Sequence, residues 1–404
     1  MEAICPNIDW DMDDMTFATK CIHGNPQHDQ FGAVIPPIYQ TTTFQFKNSD
    51  AGEKLFTGKE EGFFYSRMGN PTVANLEGKI AKLEGAEACC ATSSGMGAIS
   101  STMLSLLKAG DHLIADETLY GCTLELFHEI QKFGIEVTFI DMAIPGEVTK
   151  TLKPNTKMIY FETPANPTLK IVDIERVCKE AHAQEGILAV TDNTFCSPVV
   201  TNPIQFGVDV VIHSASKYLN GHSDVLAGVV CGKKCIIDQI RCHGLKIFTG
   251  SVLSAIDAFL IIRGLMTLEL RVKMASQNAQ QVAEFLDCHP AVEKIYYPGL
   301  KSHTDHEIAK KQMKTYGSMV TFELKKGLEG GKKFLNHLHI LHLAVSLGGC
   351  ESLIQHPASM THACCTKEER RAAGVTDGMI RFSVGIEGVE DIIADLKQAL
   401  DMLL

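Results

Sequence analysis

The chain has 404 residues, 45% hydrophobic and 21% charged, and 48 acidic residues set against 37 lysines and arginines give a net charge of -11. At roughly 150 residues per domain this length predicts two or three units and excludes a stapled mini-scaffold, while so ordinary a composition excludes disordered and fibrous classes. The acidic balance, with no block of like charge, makes nucleic acid and anionic membrane poor partners.

Residues 1–63 show no rhythm of helix and strand. Asp9, Asp11, Asp13 and Asp14 have the wrong sign for a signal or transit peptide, which predicts a cytoplasmic protein. Pro36, Pro37 and the run 39–46 read as an N-terminal arm that wraps a neighbouring subunit. From Thr72 onward Val73, Leu76, Ile80 and Leu83 recur at helical spacing, and 88–92 then reads as a short apolar strand. Further strand-like runs follow at 112–115, 135–140, 157–161, 187–191, 208–212 and 226–231, most of them separated by helical stretches such as 173–184. Seven strands in βαβ units predict a mostly parallel sheet covered by helices on both faces, in a large unit over 64–260. Over 261–404 a helical run that starts near Ser254 and reaches Phe285, strands at 292–296 and 319–324, and a final helix over 390–402 predict a smaller α+β domain. No apolar stretch approaches the roughly 18 residues of a membrane span; the best, 258–262, is flanked by Asp257 and Arg263. The fourteen cysteines are scattered without a C-x-x-C pair and read as free thiols. Cys231, Cys235, Cys242 and His243 are too irregularly spaced to predict a metal site.

In open parallel sheets ligands bind beyond the carboxyl ends of the strands, so the residues just past each predicted strand carry the functional signal. After the first comes Ser93-Ser94-Gly95-Met96-Gly97 ahead of a helix, which suits either a phosphate cradle or a plain serine N-cap. After the next comes Tyr120, an aromatic that could stack on a planar ring or simply pack in the core. Asn166 follows, held between Pro164 and Pro167, and then Asp192, a carboxylate that needs a cation if buried. The run His213-Ser214-Ala215-Ser216-Lys217 closes the series. A lysine at the buried carboxyl edge of a sheet should lose its proton easily and become nucleophilic toward an aldehyde. Pyridoxal 5'-phosphate would use all of these parts together: amine, ring-nitrogen partner, stacking ring and phosphate cradle.

The run from Val211 to His222, together with Asp192-Asn193, Tyr65-Ser66-Arg67 and Ser346-Leu347-Gly348, resembles the cysteine and methionine metabolism group of pyridoxal-phosphate-dependent enzymes, and the likeness extends from about Thr19 to the C-terminus. The resemblance implies the aspartate-aminotransferase-like fold (fold type I) and a homotetramer built from two catalytic dimers. It implies that Lys217 bonds the cofactor, that Asp192 pairs with its ring nitrogen and that Tyr120 stacks on the ring. Gly95, Met96, Ser214 and Ser216 are then implied to hold the phosphate, with Tyr65 and Arg67 reaching it from the neighbouring subunit. Arg381 is implied to clamp the substrate carboxylate, assisted by Asn166 and Ser346. Within the group, Cys122 after Gly121 resembles the lyases that eliminate methanethiol from methionine, which makes Cys122 a catalytic candidate beside Lys217 and Tyr120. Ile247 departs from that pattern, standing where many such lyases carry an aspartate. The expected reaction is gamma-elimination on a sulfur amino acid; cleavage of cystathionine and thiol-incorporating transfer are the alternatives.

Overall fold

Asn70 Oδ1 accepts from Thr72 N at 2.9 Å and Pro71 occupies the first turn, where an N–H would have no partner, so a helix starts here. It runs over Pro71–Glu84, buries the stripe Val73, Leu76, Ile80 and Leu83, and ends at Gly85, whose φ of 72° favours a residue without Cβ. The computed structural model describes residues 14–25, 29, 31–361, 363, 366–367 and 374–404. The acidic start through Asp13 lies outside the described residues.

Seven strands follow in the main sheet: β1 (Ala88–Thr92), β2 (His112–Asp116), β3 (Glu136–Ile140), β4 (Thr156–Glu162), β5 (Leu188–Asp192), β6 (Val210–Ser214) and β7 (Gly228–Gly232). Their order is β1-β7-β6-β5-β4-β2-β3. Only β7 runs backwards, antiparallel to both β1 and β6, so β1 again points the same way as β6 and its carboxyl end shares the edge of β2, β4, β5 and β6. Alternation divides each strand between two cores. Ile114, Ile159, Phe161, Ala189 and Val211 pack with the Pro71–Glu84 helix. Leu113, Met158, Tyr160, Val190, Val210 and Ile212 pack on the other face with Ala98, Ile99 and Met103 of the helix Gly95–Leu106. Helices on both faces of a mostly parallel sheet are what the near-continuous apolar strands predict.

The second, smaller sheet holds β8 (Val292–Tyr296), β9 (Met319–Leu324), β10 (His342–Leu343), β11 (Leu353–Gln355) and β12 (Met379–Ser383), in the order β10-β11-β12-β9-β8. Val320, Phe322, Ile380 and Phe382 form its core with Leu286 of the helix Leu268–Asp287 and Leu396 of the helix Val389–Asp401. Strands β10 and β11, two and three residues long, are too short to leave a periodic signal. The long helical run is broken into Ala255–Leu265 and Leu268–Asp287. Arg271 stabilises the break: its Nη2 donates to Gly264 O at 2.7 Å and its Nε to Thr267 Oγ1 at 3.2 Å. Among the described residues no helix is long and apolar enough to cross a membrane.

Candidate active site

Lys217 lies in the turn just past β6, its carbonyl accepting from Gly221 N at 2.7 Å and its amide donating to Ser214 O at 3.2 Å. Its amine donates to Ser346 Oγ at 2.6 Å. Burial, helped by the nearby Arg381 charge, pulls this amine down to about 8, so about a tenth of it is free base at pH 7 and half at about pH 8. Ser346 holds a φ of 96°, a backbone conformation unfavourable for a residue with a Cβ. It thereby presents Oγ to Lys217 while its carbonyl accepts from Arg381 Nη2 at 3.0 Å. Arg381 comes from β12 of the smaller sheet and donates through Nη1 to Asn166 Oδ1 at 3.2 Å, past the end of β4 of the main sheet. The site therefore sits where the two sheets meet. Burial lowers the Arg381 guanidinium to about 10. The amide of Gln355, oriented with its oxygen toward Arg381, accepts from Nε at 2.9 Å and Nη2 at 3.2 Å.

Asp192 ends β5. Burial raises its carboxyl, while Thr194 opposes this by donating N–H at 2.9 Å and Oγ1 at 2.5 Å to Asp192 Oδ1. The Thr194 hydroxyl also accepts from Ser214 N at 2.8 Å, tying the ends of β5 and β6 together. Tyr120 stands past β2 with its amide donating to Glu162 Oε1 at 3.0 Å and its side chain 46% exposed, which rules out simple core packing. Cys122 Sγ donates to Tyr120 Oη at 3.4 Å; this contact first, and burial second, push the phenol up to about 12. The thiol thus occupies the phenol's oxygen as acceptor and leaves the phenol's proton free to point elsewhere.

At the start of the helix Gly95–Leu106, Ser94 accepts from Gly97 N through Oγ at 3.0 Å and from Ala98 N through its carbonyl at 3.0 Å. The serine is thus an N-cap, and the cap leaves the first helical amides, Gly95 and Met96, without intrahelical partners. A Cβ on residue 95 would come within 3.0 Å of Ser214 Cβ, so only glycine keeps this cradle open. Ser216 Oγ is engaged with Ala227, accepting from its amide at 2.9 Å and donating to its carbonyl at 3.2 Å. To donate to a phosphate it must rotate away from that carbonyl.

Tyr65 and Arg67 are placed elsewhere. Arg67 Nη1 donates to Lys246 O at 3.1 Å, its guanidinium lies 5.5 Å from the Tyr65 ring centroid, and both line a cavity of about 450 Å³ with Thr41, Asn70 and Ser254. Ile247 is 63% exposed. Sequence pattern assigns no role to Thr194, Glu162 or Gln355; for Thr194 a signal exists, since an Asp side chain commonly accepts from the backbone N–H two residues on, as Asp192 does here.

A buried amine that loses its proton more easily than a free lysine, a carboxylate held at a strand end, an exposed aromatic ring and a glycine-lined pair of free amides fit pyridoxal 5'-phosphate, by an aldehyde bond, a ring-nitrogen contact, a stacking face and a phosphate cradle respectively. Comparison with known proteins agrees. Residues 18–401 match the family described as Cys/Met metabolism PLP-dependent enzyme. The chain is 54% identical to the L-methionine gamma-lyase of Fusobacterium nucleatum subsp. polymorphum, over 95% of this chain and 98% of that protein. It is 42% identical to the cystathionine beta-lyase of Coxiella burnetii, over 95% and 97%. The crystal structure of metB from Corynebacterium glutamicum superposes with a TM-score of 0.91 at 39% identity, covering 98% of this chain and 100% of that one.

Proposed function

The chain belongs to the Cys/Met metabolism family of pyridoxal-phosphate-dependent enzymes, with fold type I architecture, and within it we propose that it is a carbon–sulfur lyase that converts L-methionine and water to methanethiol, 2-oxobutyrate and ammonia. The observation that carries the choice of substrate is the Cys122–Tyr120 contact, together with the greater similarity to a methionine gamma-lyase than to a cystathionine beta-lyase.

Pyridoxal phosphate supplies an aldehyde that bonds amines and a ring that withdraws electrons from the substrate's α carbon. Lys217 Nζ, free base above about pH 8, accepts the α proton. Arg381, whose contacts with Asn166, Ser346 and Gln355 engage four of its five N–H donors, meets the substrate carboxylate with its charge and its remaining Nη1 N–H. Tyr120 Oη, protonated up to about pH 12, donates to the departing sulfur, and Cys122 orients it. Asp192 would pair with the cofactor's ring nitrogen, and the Gly95 and Met96 amides with the Ser214 and Ser216 hydroxyls would hold its phosphate.

Tyr65 and Arg67 complete the phosphate site of a neighbouring subunit in a homotetramer of two catalytic dimers. The apolar side chains left bare on the N-terminal arm support this: Val34 is 96% exposed, Phe31 79% and Phe56 69%. The proposed division is an arm over 1–63, a cofactor-binding unit over 64–260 and a smaller unit over 261–404, with one sheet in each of the last two. The free thiols among the described residues suit a cytoplasmic setting.

Product analysis tests the reading. The holoenzyme given methionine should release methanethiol and 2-oxobutyrate in equal amounts. Cleavage of cystathionine without methanethiol release from methionine, or incorporation of added thiol into an activated homoserine, would replace this activity with a sister one.

A further inference from the structure

Behind the site, on the other face of the main sheet, lies a pair of titratable groups that the mechanism above does not use. Glu84, the last residue of the Pro71–Glu84 helix, is 0% exposed, and its Oε1 meets His213 Nε2 at 2.5 Å. Asn193 Nδ2 donates to the same oxygen at 3.3 Å, and Oε2 has no hydrogen-bond partner. His213 is 1% exposed.

Each of these partners adjoins a residue of the site. Asn193 follows Asp192, and His213 precedes Ser214. Along β6, Ile212 faces the core shared with the Gly95–Leu106 helix, whereas Val229, aligned with His213, belongs to the core under the Pro71–Glu84 helix. Asp192 is aligned with Ile212, so Asp192 and His213 stand on opposite faces of the sheet, one strand apart. A fully buried carboxylate with one bare oxygen is costly unless a cation meets it, and His213 is the group in contact that can become one. Other titratable groups face the pair. Cys196 and Cys231 are thiols that burial keeps protonated, Cys196 at about 12. Lys314, whose own amine donates to Asn202 Oδ1 at 2.7 Å, approaches Glu84 from the helix C-terminus, and Asp192 feels His213 as a charge that favours its ionised form.

We propose that Glu84 and His213 are positioning residues, a carboxylate–imidazolium pair buried beneath the sheet that keeps Asp192 ionised and thereby keeps the cofactor's ring nitrogen protonated. The inference rests on the reading of Asp192 as the ring-nitrogen partner. Reciprocally, the pair fixes the register of β5 against β6 at their carboxyl ends, where Asp192 and Ser214 must converge.

The test uses holoenzyme reconstituted with pyridoxal phosphate labelled with 15N in the ring, whose chemical shift reports the proton on that nitrogen. In the wild type the nitrogen stays protonated at pH 8. Glu84→Gln and His213→Gln, which keep a hydrogen bond between the two side chains while removing charge, should each lower the pH at which this proton is lost and weaken binding of pyridoxal phosphate about tenfold, the equivalent of one pH unit of ring-nitrogen protonation. Asp192→Asn should lose the proton outright. Histidine C2 deuterium exchange, read on the wild-type holoenzyme by mass spectrometry, should show His213 protonated at pH 7. Loss of the ring proton in Asp192→Asn but in neither other variant overturns the inference and leaves the reading of Asp192 standing. Its retention in Asp192→Asn overturns both. A neutral His213 at pH 7 overturns the inference even if one of the variants fails to fold.

Discussion

Lys217→Met should stabilise the cofactor-free protein near neutral pH. The folded chain holds the Lys217 amine at about 8 where the unfolded chain restores it to 10.5, chiefly by burial and secondarily by the Arg381 charge. Between those two values the unfolded state binds more protons than the folded one, so wild-type stability rises with pH across the window and the full penalty is present below about pH 8. That penalty is about 3 kcal/mol at 1.36 kcal/mol per pH unit. Methionine keeps the apolar stem and removes the charge, but forfeits the hydrogen bond to Ser346, a loss of about 1 kcal/mol. The net gain is then about 2 kcal/mol at pH 7, falling through zero as the pH approaches 10.5. Urea denaturation of both cofactor-free proteins at pH 7 and pH 10, at matched concentration, measures the difference. A variant no more stable than wild type at pH 7, or a gap that does not shrink with pH, would refute the assignment of Lys217 as a destabilised amine held ready for an aldehyde.

Tyr120→Phe keeps the stacking ring and removes the proton; turnover of methionine should fall by a factor on the order of 10² while cofactor retention is unchanged, and undiminished turnover would assign the proton to another donor. Arg381→Ala removes a charge-assisted donor worth about 1.5–3 kcal/mol, so kcat/KM should fall by a factor on the order of 10–10², and with that charge gone the pH midpoint for covalent capture of pyridoxal phosphate by the cofactor-free protein should move up from about 8. Cys122→Ser should reduce methionine turnover more than cystathionine turnover, since the thiol orients Tyr120 without taking part in bond cleavage; an unchanged ratio would make the cysteine a passive neighbour. Mixing Arg67→Ala with Lys217→Ala chains should restore a fraction of intact sites as subunits exchange, whereas a fully active monomer would refute the shared site.

Local pattern and tertiary placement contribute differently to this protein. Strand positions and their polarity are legible in the chain because a βαβ unit buries each strand on both faces, so apolar runs stand out and the carboxyl end of every main-sheet strand but β7 marks the same edge. Lys217, Asp192 and Tyr120 could be singled out on that ground alone. Arg381 could not: without the family resemblance it is one more arginine on a strand, and its partners Asn166 and Ser346 lie 215 and 35 residues away. Gln355 joins them only because β11 pairs with β12, and β11 is too short to be seen by periodicity. The contact between Glu84 and His213 spans 129 residues and exists because a helix end and a strand end are buried against one another. Periodicity records how each segment divides itself between core and surface, which is a property of neighbours in the chain. Which polar groups must then satisfy one another inside the core depends on how those segments pack, and that pairing emerges only when the backbone has been folded.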